Sequence, residues 1–120
     1  MDEKLLEAAE LIENNFVRYH YQQDGSYCLD GAIMNVYGWS YDHGGRLMGG
    51  DYKRSIARVA RVLPLCDPHS KIRECAILGK IGDRLVGGLP SALVHHYNDH
   101  HCHGGIEAAK ILREAAEVEL

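Results

Sequence analysis

Apolar residues recur at helical spacing in several parts of the chain, most clearly over Asp51–Leu63. The apolar face of this segment is formed by Tyr52, Ile56, Val59, Ala60 and Leu63. Its opposite face carries Arg54, Arg58 and Arg61. A two-faced segment of this kind is stable as a helix whose apolar stripe packs on a core, so the pattern predicts a chain built mainly from amphipathic helices.

Three further segments show the same spacing. Residues 2–16 predict a first helix that begins with Asp2 as its N-cap. Residues 27–38 predict a second, buried helix, which Gly38 closes because glycine readily adopts the left-handed conformation that follows a helix. Residues 104–120 predict the last helix, and we expect it to pack on the first two.

The segments between these helices predict one more helix and two short extended stretches. A helix is expected to begin at Asp67, because an aspartate followed by proline combines a cap with a first-turn residue. Val17–Gln22 alternates apolar and polar residues, and Ala92–Tyr97 has an apolar start, so both are expected to be extended and can pair into a small sheet. Gln23–Ser26 predicts a turn. The predicted fold class is mainly α (α+β), with four to five helices and one or two short extended segments.

The bulk composition predicts one soluble domain over residues 1–120. Of its residues 46% are hydrophobic and 25% are charged, which is ordinary for a globular protein. A chain of this size can bury a core without disulfides or metal. No apolar run reaches the roughly 18 residues of a membrane span, and the start MDEKLLEAAE is acidic, unlike a signal peptide. We therefore expect a cytoplasmic protein with no membrane partner.

The charges are unevenly distributed along the chain. The formal net charge is −4, yet residues 46–84 carry nine basic and four acidic side chains. Arg54, Arg58 and Arg61 can neutralise phosphates, so nucleic acid is one possible partner of the helix over Asp51–Leu63. The acidic character of the whole chain favours the alternative of a solvated face whose arginines pair with acids elsewhere, such as those of the first helix.

Histidines are concentrated in the string LVHHYNDHHCH, Leu93–His103. Imidazole and thiolate are the side-chain groups that zinc prefers, and the candidate ligands here are His95, His96, His100, His101, Cys102 and His103. In an extended segment His101 and His103 share a face, and Cys66 or Cys75 can complete the set. The paired ligand spacing typical of zinc sites is missing. The alternative is a polar bend with its histidines in solvent and no cofactor.

Cys28 is a candidate nucleophile because it follows a turn and opens the second predicted helix. The partial positive charge at a helix N-terminus lowers the pKa of a thiol. Papain-like cysteine hydrolases place their cysteine in this way, and His96 with Asn98 would supply the later base and its partner. Against this hypothesis, Cys28 adjoins Leu29 in an apolar helix, where a free cysteine is usually structural. We expect Cys28 to lie in the packed interior.

Two strings, GSYCLDGAIMNVYG at 25–38 and LVHHYND at 93–99, carry a family resemblance. Together with a helix that follows them, they resemble a family of small uncharacterised proteins of actinobacteria and their phages. The resemblance covers most of the chain and implies a compact, mainly helical domain without an established chemistry.

The resemblance also implies roles for individual residues. Gly31, Ala32 and Ile33 would be packing positions, while Asn98 and Asp99 would form a turn and a cap before the last helix. The histidines that follow Asp99 depart from the family pattern, so the resemblance implies no shared metal mechanism.

The sequence as a whole favours an interaction protein over an enzyme, because no catalytic constellation is complete. The expected binding surface joins aromatic residues of a glycine-rich loop to the arginines of the Asp51–Leu63 helix, since aromatic and arginine side chains dominate interface hot spots. Its members are Trp39, Tyr41, Arg54, Arg58 and Arg61. With the resemblance, this predicts a cytoplasmic, phage-borne accessory factor whose partner is a host protein. A homo-oligomer is compatible with the sequence.

Overall fold

The computed structural model describes residues 1–20, 22–38, 50–63 and 89–119, except for four side chains, those of Gln22, Leu89, Ala92 and His96. These residues form the helices α1 (Glu3–Ile12), α2 (Leu29–Val36), α3 (Gly50–Val62), α4 (Leu89–His100) and α5 (Gly105–Ala116), and the two-residue strands β1 (Gln22–Gln23) and β2 (Ser26–Tyr27). The predicted mainly helical fold is confirmed. The helix expected from Asp67, and the residues Trp39, Tyr41, Cys66 and Cys75, lie outside the described residues.

The core lies between α1, α3 and α5. Leu5 and Ile12 of α1 and Leu112 of α5 are completely buried, and Val59 of α3 closes the same cluster. The contact between α1 and α5 is the most extensive of the fold, and α5 packs next on α3. The expectation that the last helix packs on the first two is therefore wrong for α2, because α2 packs on α1, α3 and α4.

The first helix is shorter than its apolar pattern predicts. Asp2 is its N-cap, as expected, and accepts a hydrogen bond from the backbone N–H of Leu5 at 3.2 Å. The helix ends at Ile12 rather than at Phe16. Phe16 instead forms an isolated bridge with Tyr27, which brings the chain after α1 alongside β2.

The turn predicted at Gln23–Ser26 closes a hairpin in which β1 and β2 pair antiparallel. Asp24 and Gly25 both have positive φ, at 51° and 80°, as a two-residue type I′ turn requires. Within the predicted extended segment Val17–Gln22, Gln22 is the one described residue that belongs to a strand, and Tyr21 lies outside the described residues. Tyr19 interrupts it, because its φ of 65° turns the backbone out of the extended conformation.

The prediction of an extended segment over Ala92–Tyr97 is wrong, because these residues belong to α4. Val94, Tyr97 and Asn98 are buried at helical spacing, so the segment places one face on the core. Pro90 lies in the first turn of α4, where proline fits a helix. Its position indicates the start of a helix, but the short apolar run that follows it also suits a strand. No small sheet between the two extended segments is possible as a result.

Gly105, at the start of α5, is expected to be indispensable for the packing of α5 on α1. A Cβ placed on Gly105 would lie 2.5 Å from the carbonyl oxygen of Ile12 and closer still to that of Glu13. Because backbone cannot yield as a side chain does, we expect Gly105→Ala to lower the free energy of unfolding by about 2 kcal/mol or more, measured by urea denaturation.

Gly50→Ala is the matched control, because Gly50 also begins a helix, but a Cβ there would approach only the Arg54 guanidinium, at 3.9 Å. We expect this control to keep or slightly raise the stability, since alanine favours helix. Equal effects of the two substitutions would contradict the close contact at Gly105.

Candidate functional site

Asn98 is a buried amide on α4 that joins three parts of the chain. Its Oδ1 accepts a hydrogen bond from the backbone N–H of Leu29 at 2.9 Å, and so satisfies a free donor at the start of α2. Its Nδ2 donates to the carbonyl of Val17 at 3.1 Å and to Asp99 Oδ1 at 3.0 Å. The implied role of Asn98 in a turn before the last helix is wrong, because the residue is helical and its amide caps α2.

Asp99, the next residue, fixes the backbone of an exposed tyrosine. Its Oδ1 also accepts a hydrogen bond from the backbone N–H of Tyr19 at 2.8 Å. Tyr19 has the left-handed φ of 65° and is 65% exposed, with its ring edge-on to that of His100 at 5.9 Å. A left-handed tyrosine costs roughly 1–2 kcal/mol, so Asp99 holds an unfavourable conformation that presents an aromatic ring to solvent.

A second polar cluster surrounds the buried carboxylate of Asp30 on α2. Its Oδ2 lies 2.6 Å from Nε2 of His95 on α4, and its Oδ1 accepts a hydrogen bond from the hydroxyl of Tyr52 on α3. A buried carboxylate needs such partners to offset its desolvation. This cluster could not be predicted from the sequence, because its members lie far apart in the chain. Its one local signal is the aspartate within the apolar string LDGAIM.

Cys28 is the N-cap of α2, and its Sγ accepts a hydrogen bond from the backbone N–H of Gly31 at 3.2 Å. The thiol is only 5% exposed, as expected for the packed interior. Burial raises its pKa from 9.0 to about 12, and the negative charges of Asp30 and Asp99 add to the shift. The hydrolase hypothesis requires a lowered pKa at Cys28. This requirement is not met, since burial outweighs the effect of the helix N-terminus.

A small pocket opens beside Cys28, and we call it the Tyr19 pocket. Its volume is about 70 Å³, and its lining consists of Tyr19, His20, Cys28, His95, Asn98 and Asp99. Cys28 and Asn98 of the hydrolase hypothesis thus share a pocket, but the histidine with them is His95. The side chain of His96 is outside the described part of the protein.

The remaining candidate zinc ligands are spread over different environments. Cys102 is buried and its thiol donates to the carbonyl of Gly104 at 3.3 Å, and burial raises its pKa. His103 is exposed, whereas His95 pairs with Asp30. Among the described side chains, no three histidine, cysteine, aspartate or glutamate residues converge as a metal site would require.

The arginine face of α3 borders a larger cleft, which we call the α1–α3 cleft. Its volume is about 460 Å³, and its lining consists of Met1, Asp2, Glu3, Lys4, Glu7, Tyr37, Asp51, Arg54 and Arg58. The hydroxyl of Tyr37 donates to the carbonyl of Asp51 at 3.1 Å and lies 2.7 Å from the Ser55 hydroxyl. The cleft is thus bounded by charges of both signs and by one aromatic side chain.

The three arginines of α3 have different roles. Arg58 is largely covered, with a side chain 23% exposed, and it binds Asp2 Oδ2 at 3.0 Å and the carbonyl of Val118 at 3.1 Å. Arg54 is exposed and pairs with Asp51 at 2.5 Å. Arg61 is also exposed. Arg58 therefore holds α3 to both neighbouring segments, while Arg54 and Arg61 remain accessible to a partner.

Comparisons of the chain with models of known protein families, with curated proteins and with solved structures find no match. None of the helices in the described ranges is long and apolar enough to cross a bilayer. The function must therefore be inferred from the geometry of the Tyr19 pocket and of the α1–α3 cleft.

We expect Asn98→Ala to lower the free energy of unfolding by about 3 kcal/mol in urea denaturation. The substitution leaves the buried N–H of Leu29 and the carbonyl of Val17 without their partner, and each unsatisfied group costs about 1–3 kcal/mol. Asn35→Ala is the control, because Asn35 is an exposed residue of α2, and its effect should stay within about 0.5 kcal/mol. Similar losses for both variants would refute the capping role.

The raised pKa of Cys28 predicts a loss of stability at alkaline pH. The thiol favours the folded state while it is protonated, so its contribution is complete below pH 9 and is lost as the pH rises towards about 12. Cys28→Ala removes this dependence. The free energy of unfolding of the wild type should therefore fall more steeply with pH than that of the variant, by up to about 1.4 kcal/mol per pH unit. Parallel curves from urea denaturation between pH 8 and pH 11 would argue against the burial of the thiol.

Proposed function

We propose that the chain is a small interaction protein that binds a partner protein through the α1–α3 cleft and the exposed arginines of α3. The observation that carries this proposal is the cleft itself, which is open, measures about 460 Å³ and is lined by acidic, basic and aromatic side chains. Arginine and aromatic side chains beside a concave surface are typical of protein interfaces.

The state of Cys28 supports binding rather than catalysis. A thiol with a pKa of about 12 is protonated at neutral pH and is a poor nucleophile. Asn98, the other described member of the hydrolase hypothesis, has its amide engaged in capping α2 and in holding Val17. Both side chains have structural roles in the start of α2, and these roles would be disturbed by a reaction at the thiol.

The pairing of the arginines supports a protein partner rather than nucleic acid. Arg58 is largely covered and bound by Asp2, so its guanidinium is not available to a phosphate without breaking a partly buried ion pair. The cleft is lined by acidic as well as basic side chains, so it is not the uniformly basic surface that a polyanion favours. A polypeptide with charges of both signs can exchange ion pairs with such a surface and is the better match.

The resemblance to small proteins of actinobacteria and their phages supports a proposal about where the partner comes from. A phage-borne accessory factor acts in the cytoplasm of its host, so the partner would be a host protein. A second copy of the chain is the alternative occupant of the cleft, and the experiment below distinguishes the two.

We expect the double variant Arg54→Glu, Arg61→Glu to bind the partner at least about tenfold more weakly than the wild type. Immobilised protein captures partners from a lysate of an actinobacterium, mass spectrometry identifies them, and the affinity of each purified candidate is then measured. Arg58 is left unchanged, because a glutamate there would face Asp2 and unfold this part of the protein.

The control is the variant Lys110→Glu, which reverses an exposed charge on α5 and leaves the ion pair of Arg113 with Glu13 intact. Its affinity for the partner should equal that of the wild type. Equal affinities of both variants would dismiss the α1–α3 cleft. A capture that nuclease abolishes would replace the proposal by nucleic-acid binding, and a capture of the chain alone would replace it by self-association.

A further inference from the structure

The Tyr19 pocket has no role in the proposed protein interface, and its size limits what it can hold. The pocket, of about 70 Å³, is a small and partly open space that holds a few atoms of the size of a water molecule or a methylene. An ammonium nitrogen with its first methylene fits this space. Because Oδ1 of Asp99 already accepts two hydrogen bonds, the remaining oxygen suits the one-point contact of an ammonium better than the two-point contact of a guanidinium. The rest of a ligand would lie over the open mouth, where the ring of Tyr19 is exposed.

Asp99 is the acidic residue of the pocket lining, which contains no lysine or arginine among the described residues. The carboxylate of Asp30 lies next to this lining, with its Oδ2 2.6 Å from Nε2 of the lining residue His95. Arg18, the arginine next to Tyr19 in sequence, binds the carbonyl of Cys102 and stacks over the ring of Phe16. Within the described part of the chain, Arg18 forms no ion pair with Asp99.

The hydrogen-bonding groups of the pocket also select a donor rather than an anion. The backbone N–H groups of Leu29 and Gly31 at the start of α2 are already bound, by Asn98 Oδ1 and by Cys28 Sγ. Asp99 accepts its hydrogen bonds from Tyr19 and Asn98 at Oδ1, so within the described residues its Oδ2 is open to a further donor. An ammonium group carries three such donors.

We propose that the Tyr19 pocket binds a primary ammonium group, with its nitrogen at the Asp99 carboxylate and its alkyl chain against the Tyr19 ring. The ammonium group belongs to a small amine or to the side chain of a lysine in another polypeptide. Tyr19 supplies an aromatic face that attracts a cation or the methylene next to it. The strained backbone of Tyr19 is consistent with a role in binding, because it holds the ring at the mouth of the pocket before a ligand arrives.

The test is an NMR titration of the wild-type protein with n-butylammonium, followed at the amides of Tyr19 and Asp99. We expect saturable shifts with a dissociation constant in the millimolar range, as befits so small a ligand. Butanol, butyrate and guanidinium are the comparison probes and should cause at least about tenfold weaker effects. Equal binding of butanol and n-butylammonium would overturn the proposal, and so would an absence of binding by the amine.

The variant Asp99→Asn tests the carboxylate itself. An asparagine keeps an Oδ1 acceptor for the backbone N–H of Tyr19 but removes the charge, so we expect at least about tenfold weaker binding of n-butylammonium. Asp24→Asn is the matched control, because Asp24 is an exposed residue of the hairpin turn and loses the same charge. Unchanged binding by Asp99→Asn would overturn the proposal. If that variant does not fold, the selectivity of the wild type among the four probes decides.

A short peptide with one central lysine and blocked ends distinguishes the two sources of the ammonium group. Binding at least about tenfold tighter than that of n-butylammonium supports a lysine side chain, and equal binding supports a free amine. These measurements do not involve the α1–α3 cleft. Their outcome is therefore independent of whether the cleft binds a partner protein.

Discussion

The buried amide of Asn98 is the contact on which the organisation of this fold most depends. It satisfies the first free donor of α2, holds the carbonyl of Val17 and orients Asp99, so three segments that are distant in sequence meet at one side chain. An amide has the donors and the acceptor that these three interactions need, and no charge that would have to be desolvated. Asn98 thereby links α2 to α4 next to the Tyr19 pocket, whose lining it joins.

Asp30 adds a second polar link within the apolar interior. Its carboxylate contacts His95 and Tyr52, so it connects α2 to both α4 and α3. Buried polar groups of this kind specify one arrangement of helices, because any shift leaves a charge without its partner. The apolar contacts of α1 and α5 supply most of the burial, while Asn98 and Asp30 determine where α2 and α4 lie.

The helices with strong apolar patterns could be predicted from the sequence, because amphipathicity is a local property. Asp2 as a cap, Gly38 after α2 and the turn at Asp24 were likewise evident from local chemistry. The helix α4 was missed, because its short apolar run also suits a strand. The cluster at Asp30 and the cap by Asn98 could not be predicted, since contacts between residues more than twenty positions apart produce no periodic pattern in the sequence. The expected burial of Cys28 is confirmed, whereas the lowered pKa that the hydrolase alternative needed is contradicted, because burial raises the pKa of the thiol.

The pairing of α1 with α5 also shapes how the protein must fold. These two helices stand at opposite ends of the described chain, yet they share the most extensive contact, and Asp2 donates from its backbone N–H to the carbonyl of Ala116 at 2.8 Å. During synthesis α1 is made long before α5, so the part of its apolar face that α5 covers lacks this partner until α5 follows, although α2 can already pack on α1. Bringing α5 onto α1 closes a loop that contains all the residues between them, and this closure is entropically costly. We therefore expect the docking of α5 to be the step that completes the core.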